Sequence, residues 1–124
     1  MYTQKIEEAK KRRIDALLQA DVEAYIAGYD EKGGILLERG QEVRGKEALR
    51  EQMENFITLL GPMYHSLETE AYWPEEGGIV TEKGAFSFSQ TEDVQPFYTG
   101  VYIYTWKEQP DGEYLLLREL HIDD

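Results

Sequence analysis

Glu119 and His121 lie two residues apart near the C-terminal end of this 124-residue chain. In an extended strand, residues i and i+2 point to the same face. A carboxylate beside an imidazole orients the ring and raises its pKa, which makes a general acid or base near neutrality. Glu82 shares strand parity with Val80, Phe86 and Phe88. That parity predicts an inward carboxylate among aromatic rings, where burial raises its pKa. Glu119, His121 and Glu82 are therefore the candidate catalytic groups. Each also has a structural reading: Glu119 and His121 satisfied by neighbouring hydroxyls, Glu82 paired with a lysine or arginine at a rim. Tyr25 and Tyr29, four apart on a helix, either offer phenolic donors to a ligand or serve as core residues with one wet end. His65 opens a strand and reads as structural or exposed rather than catalytic. There is no serine or threonine nucleophile motif and no glycine-rich phosphate loop. Two histidines in different elements, with scattered carboxylates, make no metal-ligand spacing. Neither a metal nor a cofactor is expected, and Glu75-Glu76 and Asp123-Asp124 read as solvated ends.

The elements that must position these groups follow from the apolar periodicity. Ile6, Ala9, Ile14, Leu17 and Leu18 fall near one face of a first helix, with Lys10, Lys11, Arg12 and Arg13 crowding the other side. Asp21 caps a second, shorter helix carrying Val22, Tyr25, Ile26 and Tyr29, which Gly33-Gly34 ends. Ile35-Leu36-Leu37 reads as a short strand and Glu38 to Gly45 as a polar turn region. Residues 46–60 predict a third helix with Leu49, Met53, Phe56, Ile57 and Leu60 inward, stopped by Gly61-Pro62. The second half changes period and predicts long strands over 64–73, 79–89, 97–107 and 114–122. Pro74 to Gly78 and Gln109-Pro110-Asp111-Gly112 read as turns. Three helices and a short strand followed by four long antiparallel strands make an α+β domain, with helices on one face of a curved sheet.

Composition narrows the function classes. The length suits one domain over residues 1–124, long enough for a core without staples. Cysteine is absent, so disulfides, zinc–thiolate sites and cysteine nucleophiles are excluded. The formal charge is −12, from 13 basic against 25 acidic groups. That balance disfavours nucleic acid and anionic membrane surfaces as partners. A hydrophobic share of 41% is too high for a disordered acidic tail, so the charge reads as a solubilising surface. With no apolar run near the roughly 20 residues of a membrane span and no signal-peptide pattern at the start, the expected location is cytoplasmic.

The element order resembles the cone-shaped superfamily of nuclear transport factor two, ketosteroid isomerase and the SnoaL-like polyketide cyclases. The local markers are Val43-Arg44-Gly45-Lys46-Glu47-Ala48-Leu49, similar to the family's "R-G-R-E-A-I" opening of the third helix, and the hairpin from Tyr104-Thr105-Trp106 through Asp111-Gly112-Glu113-Tyr114, similar to "V-W-x-x-x-D-G-x-W". The resemblance covers nearly the whole chain. It implies a curved antiparallel sheet wrapped around helices, a small molecule held between them, and a homodimer. It does not carry over a general base. The family often reads "Y-x-x-D-A" where the second helix meets the first strand, and here Lys32 occupies the aspartate position in Tyr29 to Gly34.

Kinase-association domains of this superfamily favour a four-residue turn in the last hairpin, which sets Trp106 opposite Leu115, Tyr104 opposite Leu117, Tyr102 opposite Glu119 and Gly100 opposite His121. A three-residue turn with a glycine bulge swaps those partners. In the four-residue register one face carries Tyr102, Tyr104, Trp106, Glu119 and His121, and the other Val101, Ile103, Leu116, Arg118 and Leu120. The aromatic face, with Tyr25, Tyr29, Met53 and Phe56 from the helices, is the expected lining of a pocket for a small apolar or aromatic molecule. The second apolar face is the expected sheet-to-sheet dimer contact. Three readings stay open: a small-molecule-binding domain; an isomerase, cyclase or dehydratase working by proton transfer; and an oligomerisation or scaffold module.

Overall fold

A computed structural model describes residues 1–32 and 34–123. Helices α1 (Tyr2–Leu18) and α2 (Val22–Ile26) are followed by strands β1 (Ile35–Glu38) and β2 (Gln41–Arg44) and helix α3 (Lys46–Leu60). Strands β3 (Tyr64–Glu75), β4 (Ile79–Ser89), β5 (Tyr98–Glu108) and β6 (Tyr114–Asp123) complete the chain. The expected α+β class is what the structure has. The six strands form one mixed sheet in the order β2-β1-β6-β5-β4-β3. All neighbours are antiparallel except β1, which lies parallel to β6 with Leu36 beside Glu119 and Glu38 beside His121.

Two details of the first half differ from expectation. The polar stretch after Leu37 is a hairpin, not an irregular turn: Arg39 and Gly40 both have positive φ, and β2 pairs back on β1. Two left-handed residues match the right-handed strand twist of a tight hairpin. β2 escaped notice because most of its side chains face solvent, so it carries no apolar pattern. Gly33, expected to end α2, lies outside the described residues. The described helix starts at the Asp21 cap, whose side chain accepts from the Ala24 N–H at 3.1 Å, and closes at Ile26, so Tyr29, expected on it, lies beyond its end and bridges to Leu116 instead.

The inner face of the sheet packs against the helices. Ile6 and Leu17 of α1, Ile26 of α2 and Leu49 and Met53 of α3 meet Phe86, Phe88, Tyr102, Tyr104 and Trp106. The α1 stripe that faces inward is Ile6, Lys10, Arg13 and Leu17, while Leu18 is exposed. Lys10 and Arg13, expected on the solvated side, are therefore buried. The reason is that two carboxylates wait beneath them. Gly84 is needed in this packing, since a Cβ there would overlap the Tyr102 ring that crosses it.

Candidate functional site

The last hairpin decides what faces the interior. The turn is the three-residue form: Gly112, at φ +86°, donates its N–H to the Gln109 carbonyl at 2.8 Å, and the Gln109 N–H reaches the Glu113 carbonyl at 2.8 Å. Glu108 then pairs with Tyr114 and Trp106 with Leu116, in place of the expected Leu115. Leu116 is thus a core residue, not part of the outer face assigned to it from sequence. A β-bulge follows, in which Leu117 is passed over and Thr105 pairs with Arg118. A bulge inserts one residue and flips the facing of everything beyond it. Tyr104 consequently lies opposite Glu119 and Tyr102 opposite His121. The partners differ from the expected register, yet Glu119 and His121 still share the face of Tyr102 and Tyr104.

Glu119 sits at the centre of a buried ionic chain. Its Oε2 is 2.5 Å from Nη2 of Arg13, and its Oε1 accepts a hydrogen bond from the Tyr29 hydroxyl. His121 Nε2 lies 3.4 Å from the same carboxylate, and His121 Nδ1 is 3.0 Å from Oε1 of Glu38. The Tyr98 hydroxyl donates to that Glu38 oxygen at 2.7 Å. An imidazole is therefore held between two carboxylates, with Arg13 and two tyrosines beyond them. Burial disfavours the charged imidazole, but the Glu119 and Glu38 carboxylates beside it outweigh that and lift the His121 pKa to about 9. Burial likewise works against the Glu119 carboxylate, and Arg13 with His121 and Tyr29 holds its pKa down at about 2. Glu38 is lowered against its own burial by His121 and Tyr98. At neutral pH the chain carries two cations and two anions. His121 is then the group with a proton to give.

Two spaces adjoin this chain. A chamber of about 30 Å³ is lined by Tyr25, Tyr29, Met53, Phe56, Glu119 and His121, among others. It has room for one or two waters. A cleft of about 410 Å³ lies outside it, between α3 and the start of β5, walled by Phe56, Leu59, Leu60, Phe97 and Tyr98. Glu38, Gln52 and Phe56 line both spaces. Gln52 Nε2 reaches Oε2 of Glu38 at 3.4 Å.

Glu82 occupies a separate buried cluster. It accepts from Lys10 at 2.7 Å, Thr69 at 2.7 Å, Tyr102 at 2.6 Å and Trp106 at 2.9 Å. Four donors use its two oxygens, and it lines neither of these spaces. A bulge in β3 between Thr69 and Ala71 brings both Thr69 and Tyr72 to this corner, where the Tyr72 hydroxyl donates to Glu7 at 2.7 Å.

Of the residues expected to line a pocket, Tyr25, Tyr29, Met53 and Phe56 do line the chamber. Tyr102, Tyr104 and Trp106 do not; their rings pack on one another from alternate strand positions, Tyr102 tilted on Tyr104 and Tyr104 edge to face with Trp106. His65 is buried, stacked on Phe88 at 4.2 Å, with Nδ1 at 3.2 Å from the Ser87 carbonyl. Burial, with the nearby Arg13 charge, pushes its pKa down to about 3, so it is neutral. Arg13, Glu38 and Tyr98 were missed. The spacing of Ile6, Lys10, Arg13 and Leu17 held the signal for Arg13, since those four positions form one helical stripe. Among the described residues no three His, Asp or Glu side chains converge as metal ligands.

No family model and no curated protein matches the sequence. Solved structures match it closely in shape. An NTF-2-like protein of unknown function from Shewanella oneidensis superposes at a TM-score of 0.78 with 16% identity, over 97% of this chain and 98% of the other. ActVI-ORFA from Streptomyces coelicolor gives 0.82 at 16% identity, over 100% and 98% of the two chains. The chain has the nuclear transport factor two-like fold. A ketosteroid isomerase-like protein from Erwinia carotovora atroseptica shares it, at a TM-score of 0.72 and 19% identity, over 95% of this chain and 92% of that one. Identities this low establish the nuclear transport factor two-like frame but no activity, since one frame hosts unrelated chemistries.

Proposed function

We propose that this domain binds a small apolar or aromatic molecule in the cleft beside α3, with its polar end directed at Glu38 and His121. The observation that supports this most is the shared wall: Glu38, Gln52 and Phe56 line both a chamber with a charged imidazole and two carboxylates and a cleft whose apolar side is Leu59, Leu60 and Phe97 and whose polar side includes Arg39 and Asn55. An apolar enclosure with a few convergent polar groups is the usual make-up of a small-ligand site. Chemical-shift mapping with a library of aromatic and alicyclic fragments tests it. Binders should move Phe56, Phe97, Tyr98 and the His121 ring together. A library that leaves those signals still while shifting others refutes the assignment.

A second reading is isomerase-, cyclase- or dehydratase-type proton transfer, favoured by the His121 proton held between Glu119 and Glu38. In that reading His121 donates its proton to a substrate oxygen and regains one from the substrate carbon that is deprotonated, Glu38 and Glu119 stabilise the imidazolium, and Tyr29 and Arg13 orient Glu119. Exchange of deuterium into an enolisable fragment that stops in His121→Gln would favour this reading over binding alone. The domain is further proposed to be a homodimer through the outer sheet face. Val101, Ile103 and Leu120 lie on that face beside the exposed Leu37 and Ile122. Among the described residues no helix is long and apolar enough to cross a membrane; a cytoplasmic location belongs to the same proposal.

A further inference from the structure

Two side chains meet at the polar edge of the cleft beside α3, Glu38 from β1 and Gln52 from α3. Oε1 of Glu38 is committed: it accepts from the Tyr98 hydroxyl at 2.7 Å and lies 3.0 Å from His121 Nδ1. Oε2 has one contact among the described residues, Gln52 Nε2 at 3.4 Å. That is longer than the roughly 2.7–3.2 Å of an ordinary N–H···O bond. The carboxylate oxygen and the amide therefore both keep hydrogen-bonding capacity. Both are within reach of a ligand, since the Glu38 side chain is 22% exposed and Gln52 is half-buried. Charge then selects the ligand. Arg13, His121, Glu119 and Glu38 form a chain of balanced sign, which a neutral molecule leaves balanced. A carboxylate would meet the ionised Glu38, and an ammonium group would meet the imidazolium behind it. Arg39 at the rim is already paired with Asp123 at 3.1 Å and lies over the Tyr98 ring at 4.3 Å.

We infer that the ligand of this cleft is an uncharged aromatic carboxamide or lactam, held by its amide edge. The inference rests on the small-molecule reading of the cleft above. The amide N–H donates to Oε2 of Glu38, the carbonyl accepts from Nε2 of Gln52, and the ring lies against Phe56, Leu60 and Phe97. An amide sets its nitrogen and oxygen roughly 2.2 Å apart, from C=O and C–N bonds of about 1.23 and 1.33 Å. Two near-parallel bonds from that edge suit an acceptor and a donor 3.4 Å apart. Primary amides and lactams present both groups on one edge, whereas a trans secondary amide points them in opposite directions. A ketone supplies the acceptor alone and leaves Oε2 desolvated without a donor.

Chemical-shift titrations with single-ring probes test this. Benzamide should move Phe56, Phe97 and Tyr98 saturably, with a Kd of about millimolar, a scale set by its few atoms. N-Methylbenzamide and acetophenone should bind at least about tenfold more weakly, the scale of a lost hydrogen bond to a charged group. Sodium benzoate and benzylamine should give no saturable change. Gln52→Met should weaken benzamide by about fivefold to tenfold and leave toluene, which meets only the apolar wall, unchanged. Glu38→Gln should bring benzoate to within about threefold of benzamide, because the repelling charge is gone. Circular dichroism checks that both variants are folded, and the Gln52 variant carries the test if loss of Glu38 unfolds the chain. Acetophenone or N-methylbenzamide binding as tightly as benzamide, or benzamide indifferent to Gln52→Met, would overturn the inference. Toluene shifts at Phe56, Phe97 and Tyr98 would in that case keep the cleft as a small-molecule site. Signals that stay still toward every probe would refute the site itself, and the inference with it.

Discussion

Arg13 on α1 and Glu119 on β6, 106 positions apart in sequence, form a buried ion pair with Nη2 and Oε2 2.5 Å apart. The pair joins the first helix to the last strand. Removing Arg13 leaves the Glu119 carboxylate with His121 as its remaining counter-charge, and breaking a buried pair typically costs about 3–5 kcal/mol. Arg13→Leu should lower stability by about that amount in urea unfolding, and Arg13→Leu with Glu119→Leu should recover part of it. A loss under about 1 kcal/mol for the single variant would mean the pair is not buried as described.

The His121 pKa, raised from 6.5 to about 9, makes a pH-dependent contribution. A raised pKa means the folded state holds the proton more tightly than the unfolded chain. The contribution is complete below about 6.5 and fades as pH climbs through 9. Glu119 behaves oppositely. Its pKa, lowered to about 2, gives stability that is present above the ordinary carboxylate range and fades as pH falls toward 2. Thermal unfolding across pH 5 to 10 should therefore show a decline on the alkaline side that His121→Gln removes. Nitrogen-15 shifts of the His121 ring measure the pKa directly.

Glu82 has four donors and lines neither the chamber nor the cleft beside α3. Glu82→Gln keeps the shape but leaves the buried Lys10 with only the part-exposed Glu7, at 3.0 Å, as counter-charge. The expected result is a loss of several kcal/mol, on the order of the 3–5 typical of a broken buried pair, with fragment affinity in the cleft unchanged once the protein is folded. A fragment-binding defect without a stability defect would assign Glu82 to the ligand site instead.

The outer-face dimer predicts that Ile103→Lys or Leu120→Lys yields a folded monomer by light scattering, since a charge at the centre of an apolar contact is hard to bury. A parent protein that is monomeric at micromolar concentration would contradict the dimer itself.

Gly84→Ala should destabilise the sheet beyond the roughly 0.5–1 kcal/mol scale of glycine-to-alanine backbone effects. Its Cβ meets the Glu68 carbonyl and the Tyr102 ring, and both are fixed. Gly40→Ala in the β1–β2 turn meets no atom within 4 Å but has φ +76°, so its cost is backbone strain alone. Parallel urea curves of the two variants separate the causes.

Taken alone, the amino-acid sequence was enough for the α+β class, the bounds of α3 and the sharing of one strand face by Glu119 and His121. Those features rest on local rules: apolar spacing, a Gly-Pro stop and the period-two alternation of strands. The sharing of a face by Glu119 and His121 was legible because two residues apart on a strand is a local relation. Which residues they touch was not. Glu38 reaches His121 only because β1 runs parallel to β6, and a parallel pairing leaves no mark in either strand. Leu116 turned inward through the three-residue turn, and the bulge at Leu117 then restored the facing of Glu119 and His121, so the two backbone choices cancel further along β6. Lys10 and Arg13 looked solvated because charge normally faces water. Only the folded chain brings Glu82 and Glu119 beneath them, and a buried cation is stable where an anion meets it.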